Sequence, residues 1–269
     1  MTTVGAKTIP PSELQGALFD VDGTLVDSMP RFFPSWNEAG VDFGLTMSEE
    51  TFYRLAGKPL PDMVQVLHEE QLGGPASDEF VAAYLKRKFE VHELRQADEG
   101  TPPIIQAVAD IARAHLAAGI PICAATSGDR HHVEEHLNAA GLGDIFPSDK
   151  IVCAADLPKG RGKPQPDIWV AAAKVIGVDV KQCVAYEDSE NGFCSAWRAG
   201  CEVVDVRDTE GYPLPDGLKA VMPGQRANRP WMEEGVEAGV EAGVEAGCGG
   251  GGGEGAAGVR EDADGKAAE

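Results

Sequence analysis

The chain has 269 residues, 43% of them hydrophobic and 25% charged, which is enough for one large globular domain or two modest ones with a sizeable core. Its net charge of −21 excludes a nucleic-acid-binding surface of the usual basic kind. No run approaches the roughly 18 apolar residues of a membrane helix, and MTTVGAKTIPPSELQ lacks the apolar stretch of a secretory signal, so a cytoplasmic protein is expected.

The first apolar run, LQGALFDV (14–21), reads as a buried strand and leads directly into DVDGT, with Asp20 and Asp22 two residues apart. Residues 29–99 then carry only helical patterns, SWNEAGVDF, SEETFYRLAG, PDMVQVLHEEQLG and SDEFVAAYLKRKFEVHELRQ. They predict a small helical insertion after the first strand. From residue 100 a strand–helix rhythm sets in. Strand runs are IPICAAT (120–126), KIVCAA (150–155), QCVAYE (182–187) and CEVVDV (201–206). Helical stretches at 101–119, 131–141, 166–177 and 189–200 each end on glycine, the last opening on Ser189 as N-cap. Such alternation predicts an α/β fold, a doubly wound parallel sheet with helices on both faces.

The expected division is a core of 14–28 plus 100–222, a helical insertion of 29–99, and a tail of 223–269. The tail carries the repeat GVEAGVEAGVEAG and polyglycine. It cannot bury enough apolar surface to offset the entropy of ordering, and is expected to be a disordered acidic segment. The six cysteines form no CxxC pair and mostly lie in apolar runs, as reduced thiols do.

In a doubly wound sheet ligands bind beyond the C-terminal strand ends, so the polar residues there define the candidate site. Asp20 and Asp22 offer oxygens to a hard cation, and Glu187 and Asp188 at a later strand end offer more. Thr126 and Ser127 open a loop that suits phosphate oxygens, and Lys163 in RGKPQPD is a compact charge suited to a phosphate. An acidic body that handles an anion needs such local positive charge or a metal. Arg54 and Lys58, flanking Gly57 in the insertion, are candidates for substrate contact. His131, His132 and His136 share a helix without an acidic metal-binding motif and are read as structural. Trp36, Trp169 and Trp197 are read as packing, and Arg161 as an exposed or supporting charge.

DVDGT, Thr126 after its strand, GKPQPD and EDSENG together resemble the four motifs of the haloacid dehalogenase-like hydrolases. The resemblance covers about 14–30 and 100–210, and the insertion resembles the helical cap of the β-phosphoglucomutase-like branch. It implies Asp20 as the nucleophile that forms an aspartyl-phosphate and Asp22 as general acid and base. It implies Mg²⁺ held by the Asp20 side chain, the Asp22 carbonyl and Asp188 with Glu187 nearby, and Lys163 and Thr126 on the phosphoryl group. An aspartate at position 22 argues against the dehalogenase and phosphonate branches. Where the mutases of this branch carry a histidine and an arginine, this chain has Phe32 and Leu60, and their Lys-Asn pair is Asp129-Arg130. The stretch CVAYEDSENGFCSAWRAGCEVVDVRD is similar to sugar-phosphate phosphatases. The resemblance therefore implies a phosphatase acting on a small phosphorylated sugar or polyol; no exposed apolar seam or heptad stands out, so a monomer is expected. A sugar phosphomutase and a non-catalytic sugar-phosphate sensor are the alternatives.

Overall fold

A computed structural model describes residues 2–5 and 7–233. Five parallel strands form the sheet: β2 (Gly16–Phe19), β3 (Ile122–Thr126), β4 (Ile151–Cys153), β5 (Cys183–Glu187) and β6 (Glu202–Asp205). A short strand the sequence did not signal, β1 (Thr2–Thr3), pairs antiparallel with β6 and extends the edge. The spatial order is β1-β6-β5-β2-β3-β4. The chain thus winds outward from β2 in one direction and then returns to its other side, which makes β2 the switch point where such sheets bind ligands.

Side-chain alternation along the strands feeds two buried layers. On one face Ala17, Phe19 and Ala124 meet α5 (Gln106–Ala117) and α6 (Arg130–Ala139) through Val108, Ala112, Val133 and Leu137. On the other, Leu18, Cys123 and Ala185 meet α7 (Asp167–Val175) and α8 (Glu190–Ala199) through Trp169, Ala172, Phe193 and Ala196. The five described cysteines are buried thiols, as expected; Cys248 lies outside the described residues.

Residues 29–99 are helical throughout: α1 (Met29–Asp42), α2 (Glu49–Leu55), α3 (Leu60–Leu72) and α4 (Asp78–Glu99). Ser48 and Ser77 cap α2 and α4 by accepting from the amides of Thr51 and Phe80. These helices enclose an apolar cluster of their own around Trp36, Phe52, Leu67 and Tyr84, whose hydroxyl donates to the Trp36 carbonyl at 2.9 Å.

The disordered tail expected from residue 223 does not hold for residues 223–233. Helix α9 (Asp216–Ala227) runs through that boundary, and Trp231 beyond it is buried. Glycine and acidic content masked an amphipathic helix whose Leu218 and Met222 enter the cluster of α1–α4. Arginine contacts fix the segment on the sheet side. The buried Arg207 binds both oxygens of Asp205 (2.8 and 2.7 Å), Glu190 (3.0 Å) and Gln225 of α9 (3.2 Å). Arg229 clamps Glu190 with two bonds of 2.7 Å. The repeat and polyglycine lie outside the described residues. Met222→Ala is expected to lower stability by about 2 kcal/mol, the lower range for truncating a buried methionine. Urea unfolding reads this directly, and an unchanged midpoint would detach α9 from the core.

Candidate active site

The site grows from the end of β2. Asp20 keeps the sheet pattern, its amide donating to the Tyr186 carbonyl at 3.0 Å. The next residues curl into a tight turn in which the amides of Thr24, Leu25 and Val26 all reach the Val21 carbonyl. Gly23 adopts φ +87°, and a Cβ there would lie 2.4 Å from Asp188 Oδ2. Only glycine lets the turn close against that carboxylate. The Tyr212 hydroxyl pins the turn by donating to the Gly23 carbonyl at 2.6 Å.

Under this turn lies the charge cluster. Lys163, fully buried, donates to Asp20 Oδ1 at 2.5 Å and to Glu187 Oε2 at 2.7 Å, and its ammonium sits 4.7 Å from the Trp169 ring. Glu187 is held from its other oxygen by the amides of Asp188 and Ser189 and by the Ser189 hydroxyl at 3.1, 3.0 and 2.8 Å. Asp188 Oδ1 accepts from the Thr24 hydroxyl at 3.0 Å. Oxygens of Asp20, Glu187 and Asp188 all lie within 4.8 Å of one another. Burial and then the neighbouring Glu187 hold Asp20 and Asp188 well above the usual aspartate range. Burial alone would lower Lys163, but Asp20 and Glu187 outweigh it and push the ammonium up. Three buried carboxylates against one ammonium form a hard, oxygen-rich, negatively charged donor set, which fits a divalent cation such as Mg²⁺.

Asp22 stands apart from that trio. Its Oδ1 accepts from Ser28 at 2.7 Å, and its Oδ2 lies where a Cβ on Gly128 would approach to 2.7 Å. Thr126 Oγ1 accepts from the Gly128 amide at 2.9 Å. Ser127 turns away, donating to the Gly57 carbonyl at 2.6 Å and so tying the β3 loop to the α2–α3 loop.

One cavity brings together Asp20, Asp22, Thr126, Ser127, Glu187, Asp188 and Lys58. Lys163 is packed behind Asp20 and does not line it. Arg54 is a correction: it pairs with Glu70 at 2.8 Å on an exposed helix face and does not line the cavity, because α2 points it outward. Arg161 likewise pairs with Asp167 at 2.6 Å. His132 and His136 pack against His92 of α4, with His132 stacked on Phe89. Trp36 lines the cavity, Trp169 underlies Lys163, and Trp197 packs on Trp231.

Lys88 was missed. In LKRKFE it reads as one of three solvated charges, yet the buried positions Val81, Tyr84, Lys88 and Val91 follow helical phase and set it on the inner face of α4. It is 3% exposed, lines the cavity, and sits 4.7 and 4.5 Å from the Phe32 and Phe89 rings. Burial lowers its ammonium to about 8, with Asp22 and Asp129 acting the other way.

A family model described as haloacid dehalogenase-like hydrolase matches residues 14–200. The chain is 32% identical to hexitol phosphatase A of Escherichia coli (strain K12), over 77% of this chain and 90% of that protein. It is 30% identical to fructose-1-phosphate phosphatase YqaB of the same organism, over 71% and 96%. The crystal structure of CbbY from Rhodobacter sphaeroides in complex with xylulose-(1,5)bisphosphate aligns with a TM-score of 0.59 at 28% identity, over 71% of this chain and 84% of that one.

The raised Asp20 and Asp188 have a consequence for stability. Carboxyl groups held above their unfolded values stabilise the fold most below those unfolded values, and lose that contribution as pH rises through the folded ones. Metal-free protein is therefore expected to lose thermal stability as pH rises above the usual aspartate range. Added Mg²⁺ should raise Tm more at pH 7.5 than at pH 5. Equal shifts at both would show that the cation does not bind these carboxylates.

Proposed function

The chain belongs to the haloacid dehalogenase-like hydrolases, and on that premise we propose that it is a Mg²⁺-dependent phosphomonoesterase acting on a small sugar or polyol phosphate. The observation that carries this reading is the Asp20 carboxylate, oriented from behind by Lys163 and open to a cavity that Asp22 also lines. Relatives named as hexitol and fructose-1-phosphate phosphatases support the substrate class.

Asp20 attacks phosphorus, and the bond from phosphorus to the ester oxygen breaks. Asp22 gives its proton to the departing oxygen. Its Oδ1 is anchored by Ser28, which leaves Oδ2 at the cavity for this transfer. The aspartyl-phosphate is then attacked by water, whose proton returns to Asp22, and phosphate leaves with Asp20 restored. Thr126 and the loop around Gly128 orient the phosphoryl oxygens, and Lys163 aims Asp20 and favours its charged form. Asp20, Asp188 and the Asp22 carbonyl would hold Mg²⁺, with Glu187 beside them; when bound, it offsets the charge of the carboxylates and the phosphate.

Residues 29–99 act as a cap over a core of 14–28 and 100–222. The Ser127–Gly57 bond and that from Asn191 Nδ2 to the Ala56 carbonyl, at 2.8 Å, hold the cap loop over the reacting groups and exclude bulk water. Phe32 offers no ionisable group to an isomerising sugar ring, which favours hydrolysis over mutase chemistry.

The test is phosphate release from a panel of sugar and polyol phosphates, with and without Mg²⁺. Turnover should require the ion and fall by about three orders of magnitude or more in Asp20→Asn. Conversion of glucose 1-phosphate to the 6-phosphate faster than phosphate release would overturn the reading in favour of a mutase.

A further inference from the structure

Lys88 is a buried cation with no direct ion-pair partner; Asp22 and Asp129 act on it only at longer range. Among the described residues no carboxylate oxygen lies within 4.0 Å of its ammonium, which sits over the faces of Phe32 and Phe89. An ammonium removed from water is costly unless an anion meets it, and here the cavity that Lys88 lines offers room for one. The walls around it, including Met29, Trp36, Phe52 and Met63, are apolar and strengthen any charge–charge contact made inside. Lys163, the other buried lysine, is already engaged by Asp20 and Glu187 and does not line the cavity, so of the two only Lys88 faces the substrate.

We infer that Lys88 binds a second acidic group on the substrate, a carboxylate or a second phosphate on the leaving group, and so selects phosphorylated sugar acids or bisphosphates over neutral polyol phosphates. The inference rests on the phosphatase reading and narrows its substrate class. The leaving group departs toward Asp22, and Lys88 faces the same cavity from α4, so a small carbon chain places its far end against the ammonium. The Phe32 and Phe89 rings flank the ammonium itself and keep water from it, which favours a fixed anion over a hydrated one.

Two matched pairs test this: 6-phosphogluconate against glucitol 6-phosphate, and fructose 1,6-bisphosphate against fructose 6-phosphate. Wild-type kcat/KM should favour the doubly acidic member in at least one pair. Lys88→Met, close in volume, should reduce that value by about tenfold or more, mainly through KM, and change the singly acidic partner little. Lys88→Arg should retain part of the preference. No preference in either pair, or equal losses on both members in Lys88→Met, overturns the inference while phosphate release still supports the phosphatase. Calorimetric binding of the same compounds to Asp20→Asn separates the two claims. Tighter binding of the doubly acidic compound without wild-type turnover would keep the role of Lys88 and reject hydrolysis. Equal binding of both would reject the role whatever the turnover.

Discussion

The site depends on one buried ammonium. Lys163 joins the end of the central strand to the end of its neighbour, through Asp20 on β2 and Glu187 on β5. Without it, three carboxylates would face each other in a space with little water, and they would be driven still further toward their protonated forms. The surroundings are shaped to keep this contact. Gly192, in the first turn of α8, lies so close that a Cβ would stand 2.0 Å from the Glu187 carboxyl. Ser189 caps that helix through the Gly192 amide while donating its hydroxyl to Glu187. The start of α8, the carboxylate and the lysine are one construction, and EDSENG and GKPQPD are its sequence.

This explains which parts could be read in advance. The strand-end residues are constrained by chemistry and by the backbone together, so they appear as short strings with fixed spacing: DVDGT, GKPQPD, EDSENG. The sheet was legible for a similar reason. A parallel strand buried on both faces needs a continuous apolar run, and all five appear as such. β1 was not legible, because two residues at an edge carry no periodicity.

The helical segment followed other rules. Its helices could be recognised, but the direction of each side chain depends on how α1–α4 pack, which local pattern leaves open. Arg54 and Lys88 show the two outcomes. Arg54, beside a conspicuous glycine, pairs outward with Glu70. Lys88, within a charged triplet, turns inward because its phase is that of Tyr84 and Val91. A lysine's long stem can lie along apolar surface, so charge alone does not reveal which side of a helix is wet.

Packing also joins the segment to the C-terminal part of the described chain. Leu218 and Met222 of α9 belong to the apolar cluster of α1–α4, and Gln225 donates to the Tyr53 carbonyl at 3.1 Å. The same helix is held to the sheet side by Arg207 and by Arg226, which reaches Asp205 at 2.9 Å and Asp208 at 2.7 Å. The segment therefore cannot separate from the sheet at its two chain connections alone. Moving it away exposes Leu218 and Met222, or else pulls α9 off a network whose arginines and carboxylates are already desolvated and hard to strand without partners. Any separation of the segment from the sheet thus involves that third attachment as much as the loops at Ser28 and Gly100. The polar seam between Gly57 and Ser127 is the part that can open at least cost, since water can replace a single hydrogen bond there.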